Sequence, residues 1–530
     1  HPGVKEAVRV DPRSWRNPVH LNQERDWAGS SARAPGNVWA PAHSTTDSTR
    51  TNQLPLTFHV YNTLTKEKVP FEPMEAGVAR VYNCGPTVYG RPHIGNYRSF
   101  LFADLLRRWL EYTGLQVRQV MNITDVGHLT DDDVADSDGD DKVEAQARRE
   151  QKDPFEITRG YTDMFLEDMA ALGVREPEAR PKATEYIDEM VTMVEKLIES
   201  GHAYRVGGNV YFDVSTFPAY GRLSGNRVED LVAGSRVQVN AEKRHPADFA
   251  LWKSDPAHLM KWETTFGADG FPGWHIECSA MAKALLGEQI DIHTGGEDNV
   301  FPHHECEIAQ SACANGVPLA NVWMHAKFLQ VDGGKMSKSI GNVYTLSDIE
   351  ERGYEARHLR FALLRGHYRT QINFTWPIME EIRARLENLD EIAVLLHRIL
   401  DGGPAAGDAE AGRALLKSAT EAFEGGMNDD LNSPVALAAL ESLRKPLLEG
   451  QVGSAVAGDM LDFYGRANEV FGFIQVEKQS ADAEIEALID ARNAAKAAKD
   501  WSAADAARDQ LTAMGIELQD TPDGVVWRRK

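Results

Sequence analysis

The stretch VARVYNCGPTVYGRPHIGN, residues 78–96, decides the reading of this chain. Residues 78–84 form a short, largely apolar run of strand character. Phe102, Leu105, Leu106, Trp109 and Leu110 then recur at helical spacing until Gly114 closes the helix. VRQVMNIT, residues 117–124, reads as another strand, so the unit is predicted to be βαβ with a parallel crossover. In such sheets ligands bind beyond the carboxyl ends of the strands, where a helix N-terminus offers free N–H groups and a positive dipole to phosphate. Cys84, His93, Asn96, Thr124 and Asp125 are predicted to fall on that rim, which would set a phosphate site beside a metal-ligating thiol.

Outward from this unit the pattern changes. Ile187, Met190, Val191, Val194 and Ile198 make one helical face ended by Gly201, and NVYFDV (209–214) follows as a strand. QIDIH (289–293) reads as a strand running into Thr294-Gly295-Gly296-Glu297-Asp298, a glycine turn suited to close approach by a ribose or base. Residues 321–331 read as one more strand, leading to KMSKS (335–339) between Gly333-Gly334 and Gly341. Beyond about residue 346 the chain turns helical, and a bundle is predicted from Trp376 to about Gly472. In the last fifty residues Ser502 is expected to cap a helix with Asp505 three residues on, Met514-Gly515 to end it, and Pro522-Asp523-Gly524 to turn between IELQ and VVWRRK. Residues 1–54, rich in Ser, Thr, Pro, Asn and Arg without a sustained period, are expected to be disordered.

The bulk numbers narrow the function. A chain of 530 residues is long enough for several domains. No apolar run approaches the roughly 18 residues needed to cross a bilayer, and the N-terminus lacks the apolar core of a signal peptide, so a cytoplasmic location is expected. Four cysteines, 84, 278, 306 and 313, are too few for a disulfide framework and suit reduced thiols, some of them ligands. The 57 basic against 80 acidic side chains leave a net charge of −23, which excludes nucleic-acid binding through bulk charge and demands local basic patches for any RNA partner. The acidic run DDDVADSDGDD (131–141) puts Asp136 and Asp138 ahead of Gly139 at EF-hand spacing. Its first loop position would be Val134 and its twelfth Ala145, so essential oxygen ligands are missing and a solvated loop is expected.

HIGN (93–96) together with KMSKS resembles the signature pair of class I aminoacyl-tRNA synthetases, which activate amino acids with ATP on a Rossmann-type sheet. CGPTVYGRPHIGN, NITDVGH (122–128), PGWHIECSAM (272–281), FPHHECEIAQ (301–310), KMSKSIGN and GHYRTQINF (366–374) resemble, in order and spacing, the cysteinyl-tRNA synthetase family. The resemblance implies an α/β fold in which a Rossmann-type parallel sheet is split by an insertion and followed by a helical bundle and a small C-terminal α+β domain. Its divisions would be catalytic halves over 55–155 and 271–345, a connective insertion over 156–270, a stem-contact region over 346–376, a tRNA-binding bundle over 377–476 and an anticodon-recognition module over 480–530. A monomer is expected, with L-cysteine, ATP and the tRNA for cysteine as partners and no membrane.

The same resemblance carries one zinc ion per chain onto Cys84, Cys278, His303 and Glu307. His303 and Glu307 are four apart, hence on one face if their segment is helical. Direct ligation of a substrate thiolate would separate cysteine from serine, which a hydrophobic pocket does poorly. Cys306 stands where the family often has a neutral polar residue, and either competition for metal or an inert thiol is open. His93 and Asn96 are expected to bond the triphosphate, with Asn96 standing where the signature often has a second His. Lys335 and Lys338 would neutralise charge growing toward pyrophosphate, with Mg2+ accompanying ATP. Gly295, Gly296 and Asp298 would hold the nucleoside, while Cys84, Thr124, Trp274 and His275 would line the cysteine pocket. Arg352, Arg357, Arg360, Arg365, His367 and Arg369 form a basic cluster after KMSKS, and Trp501, Trp527, Arg528 and Arg529 combine stacking surface with charge; both groups are expected to face tRNA. Two rivals remain: an ATP-dependent ligase joining cysteine to an amino sugar, which needs no anticodon module, and a non-catalytic RNA-binding paralogue, which needs no intact HIGN or KMSKS.

Overall fold

A computed structural model of the chain describes residues 57–129, 141–228, 242–336, 340–403, 407–477, 480–521 and 524–529. They belong to one compact unit, Leu56–Lys530. The expectations for residues 1–54, the acidic run 131–140 and Lys338 lie outside the described residues.

Two short strands, β1 (His59–Asn62) and β2 (Glu67–Pro70), pair antiparallel ahead of the core. Next come β3 (Val78–Asn83), α1 (Ile94–Tyr112) and β4 (Gln116–Met121), with β3 and β4 parallel as the βαβ reading requires. Helix α1 ends at Thr113, and Gly114 takes the left-handed φ of +92° that an L side chain resists.

Three helices follow, α2 (Lys142–Glu150), α3 (Pro154–Ala171) and α4 (Ile187–Glu199). Strands β5 (Ala203–Val206), β6 (Asn209–Phe212), β7 (Phe249–Ser254), β8 (Trp262–Thr264) and β9 (Gly267–Pro272) then build a separate antiparallel sheet in the order β5-β6-β7-β9-β8. The chain returns to the first sheet through α5 (Ile276–Leu286), β10 (Ile290–Gly296), α6 (His303–Asn315) and β11 (Ala320–Ala326). That sheet has the order β11-β10-β3-β4 with every neighbouring pair parallel, so it is a Rossmann-type sheet interrupted by the segment between β4 and β10.

One strand expectation is corrected. Residues 321–331 are not continuous: β11 stays in the parallel sheet, while β12 (Leu329–Val331) leaves it to pair with a strand introduced below. The break falls at Lys327, whose N–H donates to Tyr368 O at 2.8 Å and draws the chain off the sheet.

The remainder is helical: α7 (Leu346–Glu351), α8 (Ala356–Leu364), β13 (Ile372–Phe374), which is the partner of β12, α9 (Trp376–Leu400), α10 (Ala409–Asn428), α11 (Ser433–Glu441), α12 (Arg444–Leu448) and α13 (Ser454–Phe471). This bundle shares a continuous core with the parallel sheet. Trp109 of α1, 1% exposed, stacks on Tyr112 and meets Phe58 and Phe423 edge-on. Arg360 is fully buried, ion-paired with Asp104 of α1 and donating to Phe471 O at 2.6 Å and Leu172 O at 3.0 Å. Burial raises the Asp104 carboxyl, but Arg360 and Arg108 outweigh it and hold the group ionised, below its ordinary value. Arg360 therefore leaves the set expected to face RNA.

The C-terminal unit is α14 (Ser480–Ala497), α15 (Trp501–Ala513) and the antiparallel pair β14 (Ile516–Thr521) and β15 (Gly524–Arg529). The cap of α15 is Asp500 rather than Ser502: the Asp500 carboxylate accepts from Ala503 N at 3.1 Å, and a charged acceptor suits the positive helix end better than a hydroxyl. Among the described residues no helix is long and apolar enough to cross a membrane.

The split sheet is held to its insertion by a buried charge cluster. Asp141 caps α2 and accepts from Gly127 N at 2.8 Å, and His258, 6% exposed and stacked on Phe271, puts Nδ1 2.9 Å from Glu144. Burial pulls the His258 imidazolium down, but Asp141 and Glu144 outweigh it and raise its pKa to about 9. Because the folded value is raised, this contribution to stability is complete at pH below the ordinary histidine value and is lost as pH climbs through about 9. His258→Gln should therefore show a smaller fall in Tm between neutral pH and about pH 10 than wild type, and equal falls would remove His258 from the account.

Candidate active site and metal centre

The phosphate-facing end is assembled at the first turn of α1. His93 is the N-cap: its Nδ1 accepts from Asn96 N at 3.3 Å while Asn96 Oδ1 accepts from His93 N at 3.0 Å, a reciprocal capping box. Asn96 is exposed and His93 half-buried. The KMSKS segment lies against this turn. A Cβ on Gly95 would sit 2.1 Å from Met336 Cε, so the methionine methyl rests where a side chain would otherwise be, and Ile94 N donates to Tyr344 O at 2.8 Å. Lys335 is exposed. Across the rim, Gly295 and Gly296 end β10, and a Cβ on either would meet Asn299, His304 or Asp298 at under 3 Å. Asp298 is exposed.

Beside it the thiols converge. Single ligand atoms of Cys84, Cys278, His303 and Glu307 all lie within 4.8 Å of one another, and all four residues are buried. Cys84 follows β3, Cys278 sits in the first turn of α5, and His303 and Glu307 share a face of α6, as their spacing predicts. Two thiols, an imidazole and a carboxylate are the donors of a tetrahedral zinc site. Glu307 Oε1 has no aligned hydrogen-bond donor, although His303 Nε2 is 3.0 Å away, so a buried lone pair is left for a cation.

The electrostatics favour the deprotonated forms of Cys278 and Glu307 and the protonated forms of Cys84 and His303, so a metal would displace protons from the last two. Burial raises the Cys278 thiol, yet the hydrogen bond from Cys84 and the charge of His303 more than compensate and bring it to about 6. Burial and the shared Cys278 contact push Cys84 up, so the pair holds one proton between two sulfurs. Burial also raises Glu307, but His293 and His303 bring it down to about 2. Burial lowers His303, and Glu307 with Cys278 lifts it to about 10.

A ring of histidines stands behind these residues, of which the sequence reading had singled out only His275 and missed His293, His304 and His325. His293 Nε2 lies 2.8 Å from Glu307 Oε2, His304 Nε2 lies 3.1 Å from Cys84 Sγ, and His275 Nδ1 lies 3.0 Å from His303 Nδ1. His304 Nδ1 is in turn 2.8 Å from His325 Nε2, and His325 reaches Thr63 at 2.9 Å. Such partners fix ring orientation and tautomer. His293 and His304 also form a second four-residue group with Cys84 and Glu307, but each has one ring nitrogen already engaged on a member of the first. The signal for His304 was its place beside His303 in PHHECE; His293 and His325 carried none, because they come from two other strands.

Of the expected cysteine-pocket residues, Trp274 stacks between His128 at 3.9 Å and His303 at 4.4 Å. Thr124 Oγ1 donates to Glu277 Oε2 at 2.8 Å. Glu277 was also missed; it is fully buried, and burial with the Cys278 charge keeps its carboxyl well above the ordinary value. Cys306 lies outside the cluster of Cys84, Cys278, His303 and Glu307, its sulfur 3.3 Å from Tyr220 OH in a different core cluster.

The residues expected to meet RNA are dispersed. Arg369 pairs with Asp430 at 2.6 Å and lies over Tyr61, Arg357 pairs with Asp390, and Arg352 lies over Trp376. Arg365 and Trp527 are half-buried, Trp501 is 62% exposed, and the side chains of Arg528 and Arg529 lie outside the described residues.

Residues 70–384 match the family model described as tRNA synthetases class I (C) catalytic domain, and 479–528 match the Cysteinyl-tRNA ligase anticodon binding domain. The fold is also similar to a Mycobacterium tuberculosis methionyl-tRNA synthetase in complex with methionyl-adenylate, with a TM-score of 0.56 over 74% of this chain and 92% of that one, at 15% identity. The parallel sheet, the capped motif helix and the lysine loop are thus those of a class I aminoacyl-tRNA synthetase. Cysteine–tRNA ligases of Chlorobaculum tepidum and Thermus thermophilus are 41% and 42% identical to it, covering 89% and 88% of this chain and 99% and 98% of theirs. The chain belongs to the cysteine–tRNA ligase family.

Gly85 lets the backbone beside Cys84 approach the segment after β4 closely. A Cβ there would lie 1.7 Å from Asn122 O, and Gly85 N donates to Asn122 Oδ1 at 2.8 Å. Gly85→Ala should force Cys84 away from Asn122 and open the cluster of Cys84, Cys278, His303 and Glu307, read as faster reaction of the Cys84 thiol with a thiol reagent at retained far-ultraviolet circular dichroism; an unchanged rate would contradict this role.

Proposed function

We propose that this chain is a cysteine–tRNA ligase that selects its amino acid through the thiol. The cysteine carboxylate oxygen attacks the α-phosphorus of ATP, the bond to the bridging oxygen breaks, and pyrophosphate leaves. A ribose hydroxyl at the 3′ end of the tRNA then attacks the acyl carbon, and AMP departs. Neither step calls for a protein nucleophile, so catalysis is placement and charge stabilisation. Family membership over most of the chain supports the reaction; the convergence of two thiols, an imidazole and a carboxylate within 4.8 Å is the observation that carries the selection.

Cys84, Cys278, His303 and Glu307 would hold one zinc ion, whose chemistry there is preference for the sulfur of cysteine over the oxygen of serine. Cys84, Thr124, Trp274 and His275 would line the side-chain pocket, with the Trp274 ring, already stacked on His303, as its wall. The positive end of α1, with the side chains of His93 and Asn96, would take the triphosphate. Lys335 and Lys338 would neutralise the departing pyrophosphate, with Mg2+ on the nucleotide, and Gly295, Gly296 and Asp298 would receive the nucleoside. Arg365, Arg369, Trp501, Trp527 and Arg528 would contact the tRNA through local charge and stacking. A cytoplasmic monomer is part of the same reading.

Two measurements test it. Zinc-loaded protein should exchange labelled pyrophosphate into ATP only when cysteine is present and should charge the tRNA for cysteine; exchange without charging would point to the amino-sugar ligase, and no exchange would sink the activation claim. Cys278→Ser should lose both zinc and discrimination against serine, with cysteine affinity falling by more than the roughly 10- to 100-fold usual for an outer partner of a metal ligand. Unchanged cysteine binding by a zinc-free variant would refute the assignment.

A further inference from the structure

Trp274 stands in the link between β9 and α5, and its indole lies between two imidazoles. His303 of α6 stacks on it with ring centroids 4.4 Å and planes 25° apart, and His128 stacks on it at 3.9 Å and 10°. The His303 ring is fixed in turn, with His275 Nδ1 3.0 Å from its Nδ1 and Glu307 Oε1 3.0 Å from its Nε2.

His128 is held at both of its nitrogens. It is 7% exposed, with Nε2 2.9 Å from Lys142 Nζ and Nδ1 2.6 Å from Thr87 Oγ1. An ammonium donates and cannot accept, so Nε2 is the acceptor and the ring proton sits on Nδ1, directed at Thr87. The main chain repeats the clasp, because Lys142 N donates to His128 O at 2.9 Å. Lys142 opens α2 of the insertion, and Thr87 lies three residues beyond Cys84. One imidazole is thus pinned between the insertion and the turn that carries a thiol of the cluster. An indole gripped in this way cannot swing about its Cβ–Cγ bond without displacing one of two tethered plates, so half-buried Trp274 presents a fixed boundary beside His303.

We propose that His128 is a positioning residue for substrate selection: by holding Trp274 flat against His303 it fixes the depth of the cysteine pocket and so refuses a thiol amino acid with one more methylene. The proposal rests on the ligase reading above, in which Trp274 is the pocket wall. Ligation of sulfur separates cysteine from serine but is blind to chain length, because homocysteine carries the same thiol. Length is read by a surface that does not yield, and one methylene in such a pocket is worth roughly 10- to 200-fold. A wall free to tilt surrenders that factor.

The test uses full-length, zinc-loaded protein and measures kcat/KM for exchange of labelled pyrophosphate into ATP with cysteine and with homocysteine. His128→Asn removes the plate but keeps a polar side chain, and its cysteine-to-homocysteine ratio is expected to fall by about 10-fold or more. Zinc content should stay at the wild-type level, while the Trp274 emission, taken as the difference from a Trp274→Phe partner, should become more open to acrylamide quenching. Lys142→Met, which leaves the ring and withdraws only the Nε2 contact, should lower the ratio in the same direction by less. In a Trp274→Ala background His128→Asn should move the ratio by less than about twofold, because the wall it serves has gone. An unaltered ratio in both variants, equal losses for the two amino acids, or full additivity would each overturn the role; if His128→Asn does not fold, the ratio in Lys142→Met decides alone. Cysteine-dependent exchange by wild type is run alongside: its absence sinks the ligase reading, whereas its presence with unaltered ratios overturns this inference alone.

Discussion

Glu307 lies buried with one carboxylate oxygen facing His293 and the other near His303, and the site depends on that arrangement. A carboxylate in such surroundings would ordinarily take a proton; the two imidazoles keep it ionised. Its charge in turn holds His303 protonated in the metal-free chain, which favours the thiolate of Cys278. A cation entering this cluster exchanges for protons instead of creating a buried charge, which is how metal affinity becomes coupled to the fold.

The scaffold explains why those four side chains meet. Cys84 leaves the end of β3, His293 belongs to the adjacent β10, and His325 to β11 beyond it, so the carboxyl edge of one parallel sheet delivers them together. Helix α6 returns over that edge and adds His303, His304 and Glu307 from its first two turns. The same edge begins α1, so the helix N-terminus capped by His93 and the cluster of thiols, imidazole and carboxylate are neighbours by topology. The shared core through Trp109 and the buried Arg360–Asp104 pair continue this rigidity into the helical bundle.

The net charge of −23 is reconciled with an RNA partner by where basic side chains go. Arg360, Arg357 and Arg369 are engaged with Asp104, Asp390 and Asp430, so much of the basic cluster after KMSKS joins domains together. Paired guanidiniums of this kind organise a surface without making it broadly cationic, which suits selective recognition better than indiscriminate attraction.

By itself the sequence determined the local and periodic features. The βαβ unit, the placement of His93 at a helix start, the shared face of His303 and Glu307 and the family were all legible, because helical spacing, glycine turns and contiguous motifs are encoded in neighbouring residues. Tertiary structure decided what depends on distant segments meeting. It broke the supposed strand 321–331 at Lys327, withdrew Arg360 from the surface, placed Cys306 against Tyr220 and outside the cluster of Cys84, Cys278, His303 and Glu307, and gathered His275, His293, His304 and His325 behind that cluster. Burial and partner charge are properties of the assembled packing, and no spacing along the chain contains them.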